Sequence, residues 1–170
     1  NSLYGDDLLT RYCEESPLTK IRFNVLPSRQ IISSIASDLG ELGFGPFQKS
    51  MPEHLRTIEM FEDERILMIS NVHPMYPSIV SEGEDRLRAI PLIVSHLDDP
   101  DMRPAIDKLR DSFGTIWEVS NQSLRIDLVS RGLGRAYLDQ RLARTNNLCR
   151  NFKALEFVSF SKIPLTFGLF

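Results

Sequence analysis

The sequence predicts an α/β fold, and three observations predict it. Short runs alternating apolar and polar residues, such as "KIRFNV" (20–25) and "TIWEV" (115–119), are interleaved with stretches of helical apolar spacing, such as "QIISSIASDL" (30–39). Glycine, proline and serine clusters punctuate these runs. The chain also echoes itself. Residues 21–47 and 116–138 each read strand, serine-bearing loop, helix, glycine, strand, and "ELGFGPF" is paralleled by "RGLGRAYL". Strands spaced by helices in this way are expected to be mainly parallel. In such open sheets ligands collect at the carboxyl ends of strands, where the next helix begins.

Taken in order, Asp6 and Asp7 head a short amphipathic helix carrying Leu8, Leu9, Tyr12 and Cys13, delimited by Ser16-Pro17. "KIRFNV" follows as a strand burying Ile21, Phe23 and Val25. "LPSRQ" is a turn whose Ser28 can cap the next helix, which places Ile32, Ile35, Ala36 and Leu39 on one face. Gly40 and Gly43 end that helix, and "GFGPF" is a short buried strand carrying Phe44 and Phe47. "TIEMFEDERILMIS" reads as two β-runs separated by the charged residues 62–64, and "HPMYP" as an extended, proline-rich turn.

"EGEDRLRAI" is expected to be a short helix with a solvated charged face, and "PLIVSH" a strand. Met102, Ala105, Ile106, Leu109 and Phe113 form a helical stripe. "TIWEV" leads into Ser120-Asn121-Gln122-Ser123 at the head of another helix. Capping, at about 1 kcal/mol for a good cap, accounts for one or two of those four residues. The others leave backbone N–H groups open to a ligand, and both readings stand. "ALEFVSF" and "PLTFGLF" close the chain as two more strands.

The 170 residues are 42% hydrophobic and 25% charged, the balance of a globular protein with a real core. A net charge of −3 argues against this segment gripping a phosphate backbone by itself. No apolar run approaches the roughly 18 residues that suggest a membrane span, and no secretory signal pattern opens the chain. Cys13 and Cys149 are far apart, lack metal spacing and are expected to be reduced and mostly buried, which fits a cytoplasmic protein. His54, His73 and His96 show no metal-ligand spacing, and neither a G-x-S-x-G elbow nor a phosphate-binding glycine loop occurs. No catalytic residue, metal or cofactor is expected. The "NQS" sequon at 121–123 is accidental in that compartment. The opening "NSLYGDDLL" and the closing "IPLTFGLF" read as the ends of a fragment.

In its order and spacing of motifs the chain resembles the effector-binding domain of LysR-type transcriptional regulators. The resemblance is carried by "LTRYCEESPLTKIRFNV", "IASDLGELGFGPF", "RTIEMFEDERILMISNVHPM" with its His-Pro, and "SLRIDLVSRGLGRAYL" with its Gly-Leu-Gly. None is diagnostic alone; together they run along nearly the whole chain. The family's usual acidic turn is "ELGFGPF" here, and its common proline after the Gly-Leu-Gly strand is Asp139-Gln140, which leaves the path beyond 138 open.

The resemblance implies two Rossmann-like lobes joined by crossing strands, a type II periplasmic-binding-protein-like fold. Lobe one would comprise residues 1–63 plus 157–170 and lobe two 64–156, with crossings near "FEDER" and "EFVSF". Four loops would converge on a cleft holding a small-molecule effector. Ser2, Pro27, Ser28, Ser95, His96, Ser120 and Asn121 are the polar candidates, with Phe44 and Pro46 as an apolar wall. Arg29 would pair with an anionic effector such as a carboxylate. Each has a plainer alternative: a terminus, a cap, a solvated loop or core. The resemblance further implies a homodimer or homotetramer in which the first helix packs on a neighbour's second lobe. DNA would be bound only through a winged helix-turn-helix outside these residues. A solute-binding protein for uptake of a small anionic metabolite is the alternative on the same fold, and a small-molecule enzyme a third class.

Overall fold

A computed structural model describes residues 6–48, 51–96, 103–104, 107, 114–157 and 162–170. Helices α1 (Asp6–Glu15) and α2 (Ser28–Ala36) precede strand β1 (Phe44–Pro46) and the long strand β2 (Ile58–Ser70). Then come α3 (Tyr76–Glu82), a 3-10 turn (Glu84–Ala89), β3 (Leu92–Val94), β4 (Ile116–Glu118), α4 (Gln122–Ser130), β5 (Arg135–Asp139) and α5 (Gln140–Thr145). A second 3-10 turn (Asn147–Cys149), β6 (Phe152–Ala154) and β7 (Ile163–Leu169) complete the chain.

The strands form one hydrogen-bonded sheet in the order β1-β7-β2-β5-β3-β4, with β6 also on β2. Four pairings are antiparallel (β1–β7, β2–β5, β2–β6, β2–β7) and two parallel (β3–β4, β3–β5), so the expectation of mainly parallel strands is corrected. The reason lies in β2. Its first half pairs β7 from Ile58↔Leu169 to Arg65↔Ile163, and its second half pairs β5 from Arg65↔Asp139 to Ile69↔Arg135. One strand thus belongs to two wings of the sheet, and only the β3–β4–β5 wing is parallel.

Strands β3 and β5 and the second half of β2 are buried on both faces, as their continuous apolar runs require, while β4 is the more exposed edge. Leu67, Ile69, Leu92, Val94 and Tyr137 pack with Ile79 of α3 and Leu87 of the 3-10 turn, while Ile66, Met68, Ile93, Ala136 and Leu138 pack with Ile126, Val129 and Leu142 of α4 and α5. Each such aliphatic side chain contributes about 1.5–3 kcal/mol when fully buried.

The two motifs behind the resemblance meet here. Gly132, at φ 71°, would place a Cβ 3.1 Å from the His73 Cα, and Gly134 would place one 2.9 Å from the Pro91 carbonyl oxygen. Gly-Leu-Gly is therefore a close backbone approach of the α4–β5 turn to the His-Pro corner and to β3.

Several elements depart from expectation. "KIRFNV" forms no strand: Ile21, Phe23 and Val25 are 39%, 67% and 101% exposed. Alternation alone does not make a strand when no neighbour accepts its hydrogen bonds. The first half of the expected internal repeat is thus incomplete, whereas the second forms as β4–α4–β5. "TIEMFEDERILMIS" is a single strand of 13 residues, because the charges at 62–64 are accommodated on its accessible part. "HPMYP" turns and then enters α3, with a proline in its first turn where the missing N–H costs nothing.

Helix α2 ends at Ala36, and the non-glycine Asp38 at φ 56° makes the reversal ascribed to Gly40. Leu39 is exposed and Cys13 likewise, contrary to expectation, while Cys149 is buried with its thiol pushed up to about 11 by desolvation. The closing strands are β6, which begins two residues before "ALEFVSF", and β7. The helical stripe of Met102, Ala105, Ile106, Leu109 and Phe113 lies outside the described residues. Among the described residues no helix is long and apolar enough to cross a membrane.

Candidate functional site

The parallel pairing of β4 and β5 with β3 sets the carboxyl ends of all three strands at one edge of their wing. Because β5 runs antiparallel to β2, that edge faces the first half of β2. On the other wing β1 and β2 are both antiparallel to β7, so the carboxyl end of β1 points the opposite way, toward the level of Arg65. The strand ends of the two wings thus point toward one another along β2, that of β1 level with Phe61 and that of β5 level with Arg65.

At the carboxyl ends of β3 and β4 four sequence candidates come together. The Val119 N–H donates to the Val94 carbonyl at 2.8 Å, holding the loop that carries Ser120 and Asn121 beside the one that carries Ser95 and His96. His96 Nδ1 lies 3.2 Å from Glu118 Oε1, both side chains half exposed. Asn121 is the N-cap of α4: its side-chain oxygen accepts from the Leu124 N–H at 2.9 Å. Its carboxamide nitrogen remains a donor toward solvent. The Arg125 guanidinium folds back and donates to the Val119 carbonyl at 3.0 Å and the Ser120 carbonyl at 3.5 Å. The loop's acceptors are thereby engaged, while the amides of the first turn of α4 carry the positive end of the helix dipole.

The first-wing candidates are Pro27 and Ser28 at the head of α2 and Phe44 and Pro46 on β1. Pro27, not Ser28, is the N-cap residue of α2, and no side chain caps that end. The correction is one register position: Ser28 is already helical, so its hydroxyl is not at the capping position. Arg29 is exposed. Phe44 and Pro46 are half buried on β1, and the Phe44 ring lies 6.3 Å from Phe61 and 6.2 Å from Phe167. In strand order β1 and β4 are the two opposite edges of the sheet. Ser2 lies outside the described residues.

Between the groups sits a cluster that the sequence reading passed over. Arg65 Nε donates to Asp139 Oδ1 at 2.8 Å, with the two side chains 18% and 13% exposed. Both Asp63 carboxylate oxygens accept from the Arg141 N–H, at 3.2 and 3.3 Å. The Arg141 guanidinium lies 4.3 Å over the Phe61 ring, which stacks on Phe167 at 5.2 Å. Residues 61, 63 and 65 are alternate positions of one strand, a period-2 signal that the charged run "EDE" conceals in the sequence.

No protein-family model matches the chain, and no curated sequence matches it. Solved structures do. The regulatory domain of CcmR from Synechocystis PCC6803, in complex with 2-PG, has a TM-score of 0.67 at 12% identity over 95% of this chain and 78% of that one. The bromide-bound regulatory domain of HypT from Salmonella typhimurium has a TM-score of 0.71 at 17% identity, over 95% and 78%. Full-length HypT, a hypochlorite-specific LysR-type transcriptional regulator, has a TM-score of 0.69 at 16% identity, over 96% and 56%. The fold is that of a LysR-type regulatory domain. Strand β2 is shared by both wings, and the Gly-Leu-Gly and His-Pro turns meet at the second.

Proposed function

We propose that the chain is the ligand-sensing domain of a LysR-type transcriptional regulator, holding a small molecule between its two wings. The observation that carries this reading is strand direction: the carboxyl end of β1 and those of β3, β4 and β5 point toward one another along β2 from opposite directions. Ser95, His96, Ser120 and Asn121 would contact the ligand from the second wing, and Pro27, Ser28, Phe44 and Pro46 from the first. The Asn121 carboxamide nitrogen and the amides heading α4 are donors, which suits an anion such as a carboxylate. The solved likenesses holding 2-PG and a bromide ion support a small ligand in this fold.

On this reading the lobes are residues 1–63 plus 157–170 and 64–156. The domain senses rather than catalyses, works in the cytoplasm, and self-associates. It shifts its own conformational balance by no more than the ligand's differential affinity for the two forms. With a net charge of −3 it leaves DNA to a separate domain.

A thermal-shift panel of small carboxylates, amino acids, aromatic acids and sodium bromide tests the reading. At least one compound should raise Tm, and hydrogen exchange with it bound should protect residues 119–124. Asn121→Ser keeps a capping oxygen but removes the carboxamide donor, so it should weaken binding at near-native Tm. Protection confined to another face, or no compound binding at all, would remove the proposal.

A further inference from the structure

Residues Phe61, Asp63 and Arg65 point three successive same-face side chains of β2 at one corner of the second wing, where β5 ends and α5 begins. Arg65 holds Asp139, the last residue of β5, by the 2.8 Å ion pair. Asp63 accepts the N–H of Arg141 in the first turn of α5, and Phe61 carries the Arg141 guanidinium on its ring face. Phe61 in turn stacks on Phe167 of β7, a strand of the first wing. Two of these interactions therefore run from the first wing to Arg141 of the second, and the third, Arg65 to Asp139, fixes the corner beside them. They sit where β2 passes from one set of partners to the other, since Arg65 is in register with both Ile163 and Asp139.

We propose that this ladder is a latch that sets the angle between the two wings. Beside it the wings are joined at this level by the backbone of β2, its ladder bonds and the apolar packing of Ile163 on the second wing's core, none of which fixes one angle between them. With it, rotation of the second wing must slide Arg141 off the Phe61 ring and pull its N–H from Asp63. A desolvated, hydrogen-bonded ion pair has a narrow range of acceptable geometry, and so does a cation over a ring. The ladder thus favours discrete positions of the wings over a continuum. The inference rests on the proposal that the wings move relative to one another; its test needs no effector.

Spin labels on Leu39→Cys and Leu148→Cys, both exposed positions, report the inter-wing distance in a Cys13→Ser background, with buried Cys149 left in place. The parent should give a narrow distance distribution. Arg141→Ala, at an exposed side chain, and Asp63→Ala should each at least double its width while circular dichroism stays native. Their combination should add little, because both release the same corner. Unchanged widths in both folded variants would overturn the latch, whatever the thermal-shift panel shows. A broad parent distribution would overturn it equally, and effector binding with an intact latch would separate the two proposals.

Discussion

His73 is held neutral from two sides. Its Nδ1 accepts the Met75 N–H at 3.1 Å, which a protonated nitrogen cannot do, and burial together with the charge of Arg135 lowers its pKa below 6.5. Arg135 itself is buried in β5, where desolvation brings it down to about 10, and its Nη1 donates to the Leu87 carbonyl. Well above pH 6.5 the histidine is neutral in folded and unfolded chains alike and contributes no pH dependence. Below 6.5 the unfolded chain takes up a proton that the folded one refuses, so stability falls until the lower folded pKa is passed. Urea midpoints measured downward from neutral pH should decline across that window, and His73→Gln should flatten the decline. At this scale the sequence was informative about residue type and silent about environment. It offered His96 as the histidine of interest, whereas burial singles out His73 through contacts with Gly132 and Arg135 that are distant in the chain. The hydroxyl assigned to a cap at Ser28 failed by a single position, and Asn121 succeeded because its side-chain oxygen reaches the third residue on.

Among elements, α4 and β2 show what pattern can and cannot reveal. The head of α4 was legible: a polar residue before a helical run, with an oxygen placed for the N–H three residues on. Asn121→Ala should therefore cost about 1 kcal/mol in urea unfolding, and Asn121→Ser should recover most of it. If both cost the same, the cap is not the residue's structural role. Strand β2 was half legible. Its apolar end, Ile66 to Ile69, is a continuous buried run, while its charged middle suggested a break. Charge is tolerated there because Glu62 is exposed and the other groups find partners: Arg65 with Asp139, Asp63 with the Arg141 N–H, Glu64 with Lys162 at 3.3 Å. Those partners lie some tens of positions away, beyond any local window. The converse case is "KIRFNV", which has period-2 alternation but no sheet neighbour among the described residues.

For the whole molecule, fold class and the second βαβ unit could be read from periodicity and punctuation. Handedness of pairing could not, because strand direction depends on which distant run lies alongside. The candidate site divides in the same way. Ser95, His96, Ser120 and Asn121 belong to successive loops of one parallel wing and were found together for that reason. Phe44 and Pro46 stand on the opposite sheet edge, and only strand direction relates the two groups. One consequence concerns melting. Strand β2 gives 13 residues to the sheet and supplies a flank to each wing, so neither wing can come apart while leaving the other its neighbour intact. Calorimetry should record a single peak whose van't Hoff and measured enthalpies agree, rather than two overlapping ones. A protease nick within this strand should accordingly dissolve the entire body, not release a stable half.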